Sequence, residues 1–564
     1  MYKRKSTLLF SSLSVVMILA MLLGACAKAN PTAKVVEKTV LVQETREVLK
    51  EVTKNVEVTK NVEVTKNVEV TKNVEVTKNV EVTKEVIITT TPVPTEVPLE
   101  AVEITYYYPG AAQADLPAVQ YAMNQILQQK INAKIKLVQL DWGAYDQKMT
   151  LMFQSQEPCD LVFTAPWINN YFQLVNGESL LALDDLLPTY APDLWAQIKP
   201  DFWNAVRVKG KIYSVPNQQI WVKPWGFAAR EDIVTKYNFD WQVVTKWEEL
   251  TPFLENIKQG EPDIIPWAAA PPFRPEIYHW DPIDEGLGGE IGSVIAVNAL
   301  EPDLKAFNTT ETAEFKQFAE LMHQWYLAGY IAKEVDPDAP SSWKAGKYVL
   351  WSHLIDPRMR AWEKRSKGWD FIGKPLTDPI IMTTGSVIAT LNAVCASSKN
   401  PERAVMFLNL INSDVELYNL FNFGIEGQHW VWVDKAKKLI GPPEGKTWAD
   451  TGYYPDTLWM YGSNWLAYYN SVEDADADTW TKVKAVNDGS TPSQALGFTF
   501  DRANVQTEIA NVNAAVTEFC GPLAGGQLDP AEGLQTCIDK VKEAGVDKII
   551  AEMQKQLDAF KATK

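Results

Sequence analysis

From residue 101 onward the apolar positions follow two rhythms. Residues 101–108, AVEITYYY, and 133–140, AKIKLVQL, alternate apolar and polar at period two, the pattern of strands. Between them, DLPAVQYAMNQILQQ sets Val119, Ala122, Met123, Ile126 and Leu127 on one helical face. A second helix is expected over 142–154, and CDLVFT, ending at Thr164, reads as a third strand. The order βαβαβ predicts parallel strands joined by right-handed crossovers. Further on, FKQFAELMHQWYLAGY carries Phe315, Phe318, Ala319, Met322 and Trp325 as a helical stripe, which we assign to a second lobe.

Open α/β sheets hold ligands beyond the carboxyl ends of their strands. Three successive strands deliver Tyr107 and Tyr108, then Asp141 and Trp142, then Thr164 and Trp167 to that edge. The composition reinforces this reading, because the chain holds 21 tryptophans, several of them in loop-like contexts. Flat aromatic faces suit the C–H faces of sugar rings, and amides and carboxylates suit hydroxyls. Two crossings between lobes are expected, near 215–219 and 384–389, which adds Asn217 and Trp221 as candidates. The second lobe offers Trp280 and Asp281 in IYHWDP and Trp351 in VLWSH. Trp459 and Asn464, in LWMYGSNW, are expected to close the groove. Binding would then be hinge closure, stabilised where both lobes touch the ligand.

The rhythm before residue 100 is different. Residues 55–84 are five copies of NVEVTK, each with one Glu and one Lys. The valines scatter around a helix but share one side of an extended chain, which excludes a heptad coiled coil. With TTTPVPTEVP at 89–98, the segment reads as a spacer; an adhesive β array is the alternative. Ahead of it, Lys3, Arg4 and Lys5 precede an apolar run ending near Leu23, a secretory signal peptide over residues 1–25. The net charge is −17, and loss of those three basic residues makes it −20. With no basic cluster, nucleic acid is excluded as a partner.

Leu23-Gly24-Ala25-Cys26 resembles the lipobox of bacterial lipoproteins, which implies lipidation of Cys26 and a stalk over 26–100. KGKIYSVPNQQIWVKPWGFAAREDIVTKY resembles the interlobe crossover of family 1 extracellular solute-binding proteins. SVIATLNAVCASSKNPERAVMFLNLINSDVELYNLFNFGIEGQHW is similar to the oligosaccharide-binding lipoprotein branch of that family, as are LGFTFDRANVQTEIANVNAAVTEF and VKEAGVDKIIAEMQKQLDAF. The resemblance spans about residues 101–564. It implies an α/β, two-lobed, type II-like periplasmic-binding-protein fold with a hinge. It further implies a monomer at the outer face of the bacterial membrane, handing a sugar or oligosaccharide to the transmembrane subunits of an ABC permease. Lobe 1 is expected from 101–217 plus 386–450, and lobe 2 with a C-terminal module from 218–385 plus 451–564. Trp430 stands where Tyr is commoner in the branch, and ENIKQGEPDIIPW lacks the Asp/Asn-Gly calcium loop of some members.

Other chemistries fail their own spacing requirements. GPPEGKT, at 441–447, has Ile440 where a P-loop needs its first glycine. DADAD, at 474–478, has Thr479 and Ala485 where an EF-hand loop needs Gly and Glu, so a solvated acidic loop is expected. The four histidines lack zinc-site spacing, and His429 reads as a structural hydrogen-bonder. No metal, cofactor or catalytic residue is expected. A glycosidase-like carboxylate pair and a surface adhesin remain the alternative functions. Apart from Cys26, four cysteines allow three pairings; Cys520 with Cys537 is favoured across a short Gly-rich turn, and Cys159 and Cys395 are left open, as free buried thiols or as a second bond.

Overall fold

The computed structural model describes residues 99–283 and 293–563. The signal sequence, Cys26, the repeat and the Pro-rich stretch lie outside the described residues.

In chain order, the first lobe opens with β1 (Val102–Pro109), α1 (Leu116–Ile131), β2 (Ala133–Leu140), α2 (Trp142–Gln154) and β3 (Leu161–Thr164), and later gains β4 (Ser214–Pro216). The chain then crosses and builds β5 (Trp225–Arg230), β6 (Ile265–Trp267), α3 (Ala313–Ala328), β7 (Tyr348–Leu354), α4 (Met359–Lys367) and β8 (Phe371–Pro375). It returns past β9 (Ile381–Met382) to β10 (Leu391–Val394), α5 (Pro401–Ser413), α6 (Val415–Phe423), α7 (Val472–Ala477) and α8 (Thr479–Asp488). A last crossing past β11 (Thr491–Pro492) leads to α9 (Gln506–Ala515), α10 (Pro530–Glu543) and α11 (Val546–Lys561).

The first sheet has the order β2-β1-β3-β10-β4. β1 runs parallel to β2 and β3, whereas β10 is antiparallel to both β3 and β4. The second sheet has the order β8-β5-β7-β6, with β5 antiparallel to β7 and β8. The start of its inner strand β5 needs a glycine, since a Cβ on Gly226 would lie 2.0 Å from the Lys374 carbonyl oxygen. Helix α3 forms as its stripe predicts. Phe315, Phe318, Ala319, Met322 and Trp325 are buried, the Thr312 hydroxyl accepts from the Phe315 amide at 3.2 Å, and Gly329 ends the helix in the left-handed region.

Two apolar cores follow from this layout. One gathers Ile104, Phe163, Leu391, Phe421 and Met460, and the other Phe227, Trp267, Trp325, Val512 and Ile549. The residues after 450 divide between them, which corrects their assignment to lobe 2 as a block. Tyr453, Met460, Tyr461 and Ala467 pack in the first core, and membership of the second begins at Ala495. The physical reason is the loop over 453–467, whose aromatics fill the space between α6 and β1: Phe421 and Tyr461 stack at 4.0 Å. The polypeptide therefore passes between lobes a third time, where β9 and β11 pair in parallel.

Cys520 and Cys537 are bonded, 17 residues apart. Cys159 and Cys395 are bonded as well, which decides between the two states the sequence leaves open. They stand 236 residues apart in sequence, yet β10 returns beside β3 with Val394 opposite Leu161, so the two cysteines flank one register pair. The acidic run at 474–478 is also not a loop: it forms the end of α7, with Asp478 as its left-handed cap.

Candidate functional site

Both crossings near the hinge leave the first sheet at one edge. β4 ends at Pro216 and β10 begins at Leu391, and their antiparallel pairing puts these ends together. β3 is antiparallel to β10, so the carboxyl ends of β1, β2 and β3 reach that same edge. On the other side, the second sheet meets the crossings with the start of β5, at Trp225, and the ends of β7 and β8.

Three tryptophans gather at the first edge. Trp142 opens α2, Trp167 follows β3, and Trp459 comes from the loop after α6. The ring centres of Trp142 and Trp459 are 5.9 Å apart with planes 22° from parallel, those of Trp142 and Trp167 are 6.4 Å apart, and those of Trp167 and Trp459 are 6.1 Å apart. Trp142 is 36% exposed and Trp167 55% exposed. A tryptophan normally buries far more of its face, so this is an open apolar surface. Its geometry is held from both sides. The Asp141 carboxylate caps α2, accepting from the Gly143 amide at 2.9 Å, and Trp167 Nε1 donates to the Ala389 carbonyl at 2.7 Å, on the returning crossing.

The other expected ligand residues are built into the scaffold. Tyr107 and Tyr108 are buried, with Tyr108 stacked on Tyr106 at 5.0 Å. The Thr164 hydroxyl is buried and donates to the Asn169 carbonyl at 2.5 Å. Asn217 is buried in the hinge. Its amide nitrogen donates to the Met460 carbonyl, and its side-chain oxygen accepts from Asn392 at 2.7 Å. Trp221 packs on Phe202 at 4.3 Å and donates to the Asn217 carbonyl at 2.6 Å. The Asn464 side chain accepts from the Tyr418 hydroxyl at 2.9 Å, away from solvent. In the second lobe, Trp280 and Asp281 are buried in a short strand beside Asn298 and Val297. Trp351 lies half-buried under α4, edge-on to Phe371 at 4.7 Å, with the Lys367 ammonium 4.6 Å from its ring.

At the edge that the crossings enter, the second lobe places Trp225, whose ring lies 3.7 Å beneath the Arg274 guanidinium. Among the tryptophans in loop-like contexts, Trp225 is marked out by its position at the first residue of β5, straight after a crossing. Near the first-lobe edge, Tyr454 stacks with Trp448 at 4.6 Å, and its hydroxyl accepts from Asn470 at 2.7 Å. His429 is fully buried, with Nδ1 accepting from the Ile425 amide at 2.8 Å and Nε2 3.1 Å from Asp115. Hydrogen bonds from His429 and Gln428 hold the Asp115 carboxyl below the usual aspartate range.

A family profile described as "Bacterial extracellular solute-binding protein" matches residues 122–424, and the chain belongs to that family. Residues 494–562 match a domain of unknown function, DUF3502. A carbohydrate ABC transporter substrate-binding protein of Streptococcus pneumoniae serotype 4 is 29% identical over 466 residues, covering 81% of this chain and 90% of the relative. Among solved structures, the N-glycan transport solute binding protein NgtS of Streptococcus pneumoniae superposes with a TM-score of 0.70 at 26% identity, over 82% of this chain and 99% of NgtS. NgtS in complex with Man5GlcNAc gives a TM-score of 0.58 over the same shares of both chains. These neighbours carry the two-lobed fold expected from the sequence.

Proposed function

We propose that the protein captures a carbohydrate, an oligosaccharide in preference to a monosaccharide, and delivers it to an ABC permease. The observation that carries this is the open surface of Trp142, Trp167 and Trp459 at the hinge edge. Stacked indoles bury the apolar faces of sugar rings, and each stacked ring leaves its hydroxyls free for polar partners around it. Binding without turnover is the chemistry that such a stacking surface supports. The glycan complexes of NgtS support the same ligand class. In this reading Cys26 carries the lipid, the protein is monomeric, and residues 26–100 serve as the stalk.

A calorimetric and thermal-shift screen against Man1GlcNAc, Man5GlcNAc and a panel of plant and bacterial oligosaccharides tests the proposal. A saturable rise in melting temperature with one glycan class, and no release of reducing ends, is expected. Steady hydrolysis of a bound glycan would replace capture with catalysis, and failure of every glycan to bind would remove the carbohydrate reading.

A further inference from the structure

We infer that an ionic clasp between α4 of the second lobe and α7 of the first sets the resting separation of the lobes. Helix α4 concentrates positive charge in its last turn, with Lys364, Arg365 and Lys367. Helix α7 concentrates negative charge in its first turn, with Glu473 and Asp474. Each placement suits its own helix dipole. The two turns face one another across the lobe boundary. Lys364 Nζ lies 3.5 Å from Glu473, and Arg365 lies 3.7 Å from Asp474.

Asp474 gives the clasp its rigidity. Its side chain is only 13% exposed, and its oxygens accept from the Ser471 hydroxyl at 2.7 Å and the Thr479 hydroxyl at 2.9 Å. The positive charges that oppose it come from the other lobe: Arg365 directly and, at longer range, Arg358, which itself pairs with Asp356 at 2.8 Å. A carboxylate sheltered in one lobe and neutralised from the other resists separation of the two, because parting them leaves its charge poorly compensated.

The clasp also has leverage. Helix α8 follows α7 and runs for 10 residues to the hinge, roughly 15 Å at 1.5 Å per residue. At its far end, Asn487 donates to the Gln219 carbonyl at 2.6 Å and accepts from the Trp221 amide at 2.8 Å. The hinge is therefore tied to one end of a rigid rod, and the clasp to the other.

The test needs no ligand. Nitroxide labels at Tyr121→Cys on the first lobe and Val335→Cys on the second, both exposed, in a Cys26→Ser background, report the interlobe distance distribution by double electron–electron resonance. At low salt, Lys364→Glu/Arg365→Glu is expected to move the main population away from that of the parent protein. Salt near 1 M, where the Debye length is about 3 Å, is expected to move the parent the same way and the reversed variant little. Adding Glu473→Lys to the reversed variant should return the population toward the parent. Lys316→Glu, which breaks a pair confined to α3, should change nothing. Distributions that coincide for the parent and the reversed variant at low salt would overturn the clasp, as would a salt response equal in both.

Discussion

At the scale of single residues, exposure separates the tryptophans proposed to bind from those that support the fold. Trp267 and Trp325 are fully buried and pack together at 5.4 Å, so their loss would cost the ~3–5 kcal/mol typical of a core tryptophan. Trp142 is 36% exposed before any ligand arrives. Trp142→Ala is therefore expected to leave the urea midpoint near that of the parent and to weaken glycan binding by ~1–3 kcal/mol, as a binding hot spot does. That is roughly 10- to 100-fold in Kd. Trp167→Ala should weaken binding similarly, with a further effect on lobe closure, because its indole also bonds Ala389 on a crossing. Titration calorimetry beside urea melts distinguishes these cases; early unfolding with normal affinity would place both residues in the core. The sequence was informative here only in part. Strand order indicates the sheet edge at which Trp142 and Trp167 stand. It could not tell which side chains at a strand end turn inward. Tyr108 and Thr164 lie within four-residue reach of the same edge, yet each is consumed by the scaffold, one in an aromatic stack and one in a hydrogen bond to Asn169.

At the scale of elements, local rhythm predicted well and long-range neighbours did not. β2 and α2 span the residues that periodicity assigned to them. The Cys159–Cys395 bond and the place of residues 453–467 depend on β10 returning antiparallel to β3, which no local pattern encodes. The docking of α4 on β7 likewise joins residues by chemistry invisible in the period. Glu363, 3% exposed, accepts from His353 Nε2 on β7 at 3.0 Å and pairs with Lys367 on its own helix. Burial pushes its carboxyl up, but the hydrogen bonds from His353 and Lys367 outweigh burial and hold it below the usual glutamate range. A carboxylate with a depressed folded value stabilises the fold above its unfolded value and loses that contribution as pH falls through the folded one. Glu363→Gln is thus expected to lower stability at neutral pH by roughly 3 kcal/mol, as breaking a buried pair does. The gap between variant and parent should close as the pH drops below the ordinary glutamate range. Urea melts across that range measure it; a gap independent of pH would show that the ion pair contributes nothing to the docking.

At the scale of the whole molecule, the relevant variable is the arrangement of two rigid lobes on three crossings. The features proposed to bear on that arrangement lie among the described residues: the tryptophan surface, the buried amides of Asn217 and Asn392 in the hinge, and the charges of α4 and α7. The repeat over 55–84 has a different physical character. Each copy is neutral, and its valines cover no continuous helical face on which a partner could dock. Its contribution to binding should then be nil, and its contribution to reach considerable. A protein starting at Ala101 is expected to bind glycan with the affinity of the full mature chain and to melt at the same temperature, measured by titration calorimetry and thermal shift. In cells, deleting residues 55–84 while keeping Cys26 should leave the membrane-bound amount unchanged. Uptake should change only where the distance between the membrane and the ligand is limiting. A large loss of affinity on removing the repeat would instead make it part of the binding surface, and the adhesive reading of those residues would take over from the spacer.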